Sequence, residues 1–154
     1  VSTYIFINSR NKFETKEKDM AFQLSPGARN GTLQSLETTI GANPILTIAT
    51  GASPTECASA NTGNIVATMV LPSDWLATPS GGVIQLSGSW QDLSADASGT
   101  AGYFRIHQND GTVCHMQGTI SASGAGGDMQ LDNTNIAIGQ QITITTFTIT
   151  AGGA

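Results

Sequence analysis

The chain has 154 residues, enough for one domain with a single sizeable core. Charged residues make up only 11% and the net charge is −5, a balance that argues against nucleic acid as a partner, because phosphate binding needs Lys and Arg. No apolar run approaches the ~20 residues that span a bilayer as a helix, so no membrane partner is expected.

The charge is unevenly placed. Arg10, Lys12, Lys16 and Lys18 lie in the first twenty residues, which hold no glycine. Beyond Met20 there is no lysine. Only Arg29 and Arg105 stand against eight acids, and Gly, Ser and Thr supply over a third of the residues. Residues 1–20 therefore read as a non-native or disordered N-terminal extension. Lys16-Glu17 is encodable as AAG-GAG, a ribosome-binding sequence, with Lys18-Asp19 as spacer before a start at Met20. Residues 1–20 are set aside from the fold on this ground.

Residues 21–44 read as an arm with one short helix. Ser25-Pro26 pairs a capping hydroxyl with a proline suited to the first turn. Leu33, Leu36 and Ile40 recur at helical spacing, and Gly41 is placed to end a helix over 26–40. Asn43-Pro44 breaks the chain.

From 45 the apolar period becomes two. Ile45–Thr50 and Asn64–Leu71 read as strands, separated by a small-residue loop over 51–63. A proline-containing loop over 72–81 carries Trp75, and Gly82–Trp90 reads as one strand. Ala101–Ile120 reads as a hairpin around Asn109-Asp110-Gly111, with Gly111 left-handed. A three-residue loop sets Cys114 against Ile106 and Met116 against Phe104, so that all four share the buried face. Arg105 then opposes His115 on the outer face, and His107 also points outward.

Asp128–Leu131 reads as a short strand, and Ile136 and Ile138 precede a turn at Gly139. Gln141–Thr150 is dense in β-branched residues, but its apolar parity slips between Ile144 and Phe147. That predicts a bulge at Thr145-Thr146 or burial on both faces. Residues 151–154 are expected to be a disordered tail. The pattern predicts an all-β fold: an antiparallel β-sandwich over 45–150, Ig-like or jelly-roll-like, preceded by one short N-terminal α-helix.

Chemistry-bearing groups are sparse. His107, Cys114 and His115 share a hairpin, but the chosen register splits them between faces and denies a zinc site. No G-x-S-x-G elbow is present, and Asp110 is better used in its turn than as a partner for His107. Asp92 with Asp96, and Asp128 with Asp132, read as turn and solubility residues rather than paired catalytic acids. Asp128, Asp132 and Asn133 lack the ordered spacing of a calcium loop. The glycine-rich stretches carry no lysine and read as turns. Cys57 and Cys114 are expected to be free thiols in a reducing cytoplasm. No enzyme, cofactor or metal is therefore expected. Trp75, Tyr103 and Arg105 are the side chains placed for a protein contact, and exposed Trp75 and Tyr103 would also suit a sugar-binding groove.

Four segments, ARNGTLQSLETTIG (28–41), GTAGYFRIHQNDGTVCHMQGTI (99–120), GGDMQLDNTNIAIGQQ (126–141) and ITITTFTITAGG (142–153), resemble a group of small virion structural proteins of tailed bacteriophages. The resemblance begins near Ala21 and implies a capsid decoration or minor head protein, with a tail component as the nearer rival. It also implies a homo-oligomer, a trimer being one form, on the phage major capsid protein or other virion proteins. Assembly would then occur in the bacterial host cytoplasm.

Overall fold

The computed structural model describes residues 22–153; the extension over 1–20 and the start at Met20 lie outside the described residues. Helix α1 spans Pro26–Ile40. The Ser25 side chain accepts from the Ala28 N–H at 3.2 Å, and Gly41, at φ 88°, donates its N–H to the Glu37 carbonyl. Leu33 and Ile40 are buried, with Leu36 packed beside them. That narrow apolar row faces the segment around Trp75. The Trp75 indole N–H donates to the Gly41 carbonyl, Glu37 Oε1 accepts from the Leu76 N–H, and Asn30 Oδ1 accepts from the Gly82 N–H. The helix is thus held both by packing and by polar clamps on one stretch of chain.

Among the described residues ten strands follow, giving an all-β fold behind an N-terminal helix, with curled, sandwich-like sheets. The main sheet contains β1 (Ile45–Thr50), β2 (Ile65–Val70), β5 (Gly99–His107), β6 (Cys114–Ala122) and β7 (Met129–Leu131), in the order β2-β1-β5-β6-β7. The short β8 (Asn135–Ile136) pairs with the start of β5. All these pairs are antiparallel except β6–β7, which is parallel through Ile120↔Met129 to Ala122↔Leu131. The wholly antiparallel expectation is corrected there. The loop between these strands reverses the chain and then returns it alongside β6.

Gly82–Trp90 is two strands, not one: β3 (Val83–Gln85) and β4 (Trp90–Asp92). Gly88, at φ 71°, turns the chain between them and lies so close to Pro72 that a Cβ would overlap its ring. The slipped parity of 141–150 has the same origin. This stretch divides into β9 (Ile142–Ile144) and β10 (Thr148–Thr150). β9 pairs with β4 and β10 with β3, the register moving by one residue between the halves. The result is one kinked ribbon. The break between β9 and β10 lets Ile142, Ile144 and Phe147 all face the core despite their mixed parity.

The ribbon packs on the main sheet through aromatics. Phe104 of β5 meets Phe147 edge-on, with ring centroids 5.6 Å apart. Phe147 leads to Trp90 at 5.3 Å, and Trp90 to Trp75 at 5.8 Å. This row joins sheet, ribbon and helix-bound segment in one core. The end of the chain is tied in as well: Ala151 donates to the Gly82 carbonyl, and the Gly153 carbonyl accepts from Leu24. The N-terminal arm and the ribbon thus both offer residues 151–153 backbone partners.

The β5–β6 hairpin has the expected turn chemistry but a different register. Gly111 is left-handed at φ 73°, and Asp110 Oδ1 accepts from the Thr112 N–H and hydroxyl. Ile106 pairs with Met116 and Phe104 with Gly118, while Cys114 pairs with His107. The expected pairs Cys114–Ile106 and Met116–Phe104 do not form. Gly118 explains the choice: a Cβ there would fall 2.7 Å from the Phe104 ring, so the ring needs a glycine opposite it. His115 is left over as the extra residue of a bulge, which moves Cys114 to the Arg105 side.

Gly102 marks a second irregularity, where β1 shifts register against β5 between Ala49 and Thr50. A Cβ at 102 would overlap the Gly51 carbonyl. We expect Gly102→Ala to cost at least ~2 kcal/mol, read as a lowered urea midpoint, because a rigid backbone atom must move. An unchanged midpoint would show that the 50–52 segment yields freely.

Candidate functional site

Alternation along β5 sends Phe104 and Ile106 to the core and Tyr103, Arg105 and His107 to the opposite face. The sequence alone leaves that face wet. In the structure the 51–63 loop folds over it, and all three side chains are buried. Arg105 is only 3% exposed. These two facts overturn the outward placement of Arg105 and His107 and the reading of Tyr103 and Arg105 as surface contacts.

Three side chains hold the loop. The Tyr103 hydroxyl accepts from the N–H groups of Thr62 and Gly63, each at 3.2 Å. Gln117 donates to the Pro54 carbonyl at 2.8 Å. Arg105 makes the most bonds. Its Nη2 donates to the carbonyls of Cys57 and Ser59, its Nη1 to Asn61 Oδ1 at 2.6 Å, and its Nε to Cys114 Sγ at 3.3 Å. These partners are neutral. The guanidinium charge is compensated by a cradle of loop carbonyl dipoles, the arrangement that makes burial of an ion tolerable. The small residues of the loop permit this, since larger side chains would hold its backbone away from the guanidinium.

Two further groups sit beside the guanidinium. The Cys57 thiol is pushed up to about 11 by burial and by the adjoining Cys114 thiol, with Arg105 acting in the opposite direction. At neutral pH Cys57 is therefore a thiol and not a thiolate nucleophile. His107 titrates below its usual range, first because burial disfavours its charged form and then because Arg105 repels it. Its Nδ1 is buried without a hydrogen-bond partner.

His107 of the unfolded chain protonates near pH 6.5 while that of the folded chain does not, so stability is full above that pH. It is lost as pH falls from there through the folded value. We expect the melting temperature to decline between neutral pH and the folded pKa, and His107→Gln to flatten that decline. An identical pH profile for both proteins would refute this role.

The other sequence candidates are used inside the fold. Trp75 is fully buried, so it is neither a surface anchor nor a stacking platform; Trp90 is a core residue, as expected of a strand terminus. Asp128 Oδ2 accepts from both the N–H and the hydroxyl of Thr119 at 2.8 Å, which lowers its pKa. Asp132 and Asn133 instead line an open groove with Gln140, Gln141 and Thr143. Asn133 Oδ1 accepts from the Asn135 N–H. Asp92 accepts from Ser94 and Thr68 N–H groups, and Asp96 from the Thr68 hydroxyl. Among the described residues no three His, Cys, Asp or Glu side chains converge for a metal ion.

The sequence reading missed the loop's role as a cover, and with it the meeting of Cys57, Arg105 and Cys114. One signal was available: Arg105 is one of only two cations beyond Met20, and it stands in a strand beside a tyrosine and near a histidine. The sequence matches no protein-family model, and no match is found among curated proteins or solved structures.

Proposed function

We propose that this chain is a non-catalytic bacteriophage virion structural protein, a capsid decoration or minor head protein that stabilises a shell by repeated protein contacts. The observation that carries this reading is how the chemistry-bearing side chains are used. Arg105, Tyr103, Trp75 and Trp90 are buried in the framework, and Asp92, Asp110 and Asp128 bind backbone N–H groups. The exposed surface includes the acids Glu56, Asp74 and Asp132 and apolar side chains at Phe22, Ile65, Val70, Leu93, Val113 and Ile138. The segments resembling virion proteins supply most of the β5–β6 hairpin, Phe104 and Phe147 of the aromatic row, and the β9–β10 side of the ribbon, so the resemblance concerns the scaffold.

In this reading each copy binds modestly to the major capsid protein or to a neighbouring copy, and symmetry multiplies the effect. Capsids lacking the protein should lose resistance to heat and osmotic shock, and adding purified protein should restore it. Unchanged resistance would overturn the head-decoration reading, and recovery of the protein only from detached tails would favour a tail component. A carbohydrate-binding module is disfavoured, because Trp75 and Tyr103 are both fully buried.

A further inference from the structure

Cys57 and Cys114 are the only cysteines in the chain, and 56 residues separate them. Tertiary structure brings them to one place. A single guanidinium, that of Arg105, holds the Cys57 carbonyl on Nη2 and the Cys114 sulfur on Nε. The two thiols adjoin each other. Both are free cysteines, and both residues are partly exposed. One cysteine lies in the covering loop and the other on the bulged start of β6, so a bond between them would cross from cover to sheet.

We propose that Cys57 and Cys114 are a disulfide-forming pair whose oxidation staples the 51–63 loop to the β5–β6 hairpin. The oxidant is a low-molecular-weight disulfide such as glutathione disulfide. One cysteine thiolate attacks a sulfur of the oxidant, and the first glutathione leaves as its thiolate. The second cysteine thiolate then attacks the protein-bound sulfur of the mixed disulfide and expels the second glutathione. Two electrons pass from the cysteine pair to the oxidant, and the two cysteine protons finish on the two released glutathiones. In the reduced protein the loop is held without a covalent link. In the oxidised protein it is also held covalently, and the long loop so closed restricts the unfolded chain. Because Cys57 stays protonated at neutral pH, the reaction quickens as pH rises.

The test is incubation of the purified full chain with glutathione disulfide at pH 7 and pH 9, followed by denaturation, iodoacetamide labelling and intact-mass measurement. The expected result is a monomer that takes up no label until reduced, yields a peptide linking Cys57 to Cys114, and forms faster at pH 9. Its melting temperature should lie ~5–10 °C above that of the reduced protein. Cys57→Ser and Cys114→Ser proteins should show no gain under the same treatment. Label on both thiols, a glutathione adduct that never resolves, links only between chains, or a linked monomer that melts no higher would each overturn the proposal.

Discussion

Replacing Arg105 by methionine should destabilise the protein by roughly 3–5 kcal/mol, read as a lowered urea midpoint, and should open the 51–63 loop to proteolysis. The methionine fills much of the volume but donates nothing. The carbonyls of Cys57 and Ser59 and the amide oxygen of Asn61 then lose a charged donor inside a buried site. Each such loss costs about 1–3 kcal/mol, and partial relaxation of the loop keeps the sum below simple addition. Arg105→Lys should fall between, because an ammonium keeps the charge but cannot reproduce the planar fork that reaches four acceptors. If Arg105→Met is neutral and the loop stays protected, then Tyr103 and Gln117 suffice to hold it.

Trp90→Ala should cost ~4 kcal/mol and lower the melting temperature by on the order of 10 °C. Trp90 is fully buried, and its ring lies between Trp75 and Phe147. Its indole N–H donates to the Ser87 carbonyl at 3.1 Å, which fixes the bend between β3 and β4. Truncation therefore empties a large volume and loosens the bend together. Trp90→Phe should retain most of the packing and lose less. Near-ultraviolet circular dichroism should weaken in the alanine protein, since the aromatic row is then broken. A fall of only a degree or two would mean that the ribbon and sheet close over the void.

Much of the fold was legible because its signals are local. Ser25, Pro26 and Gly41 bound α1 as expected, and Leu33 and Ile40 are its buried residues. The strands at Ile45–Thr50 and Ile65–Val70 fall within or on the expected limits, since β-branched alternation and a following proline are features of a few adjacent residues. Asp110 and Gly111 formed their turn for the same reason. The parity slip after Ile144 was also a true signal, although of a strand changing partners and not of a simple bulge.

The hairpin register shows where locality ends. Pairing Cys114 with Ile106 treats Cys114 as an apolar residue seeking the core. Nothing near it in the chain discloses that a loop over fifty residues earlier brings Cys57 over Arg105 on its other side. Likewise Gly118 reads as a weak point in a strand until the Phe104 ring is placed against it.

The sequence by itself determined an all-β chain with one capped helix and, beyond Met20, a lysine-free, acidic and hydroxyl-rich composition, because composition, caps and alternation act over short distances. Only the tertiary structure decided that one of its two remaining cations is buried under a loop between two cysteines, and that Trp75 belongs to the core. Which face of a strand is covered depends on what the rest of the chain can bring to it. Here a small-residue loop could approach closely enough to cradle a charge with its carbonyl groups.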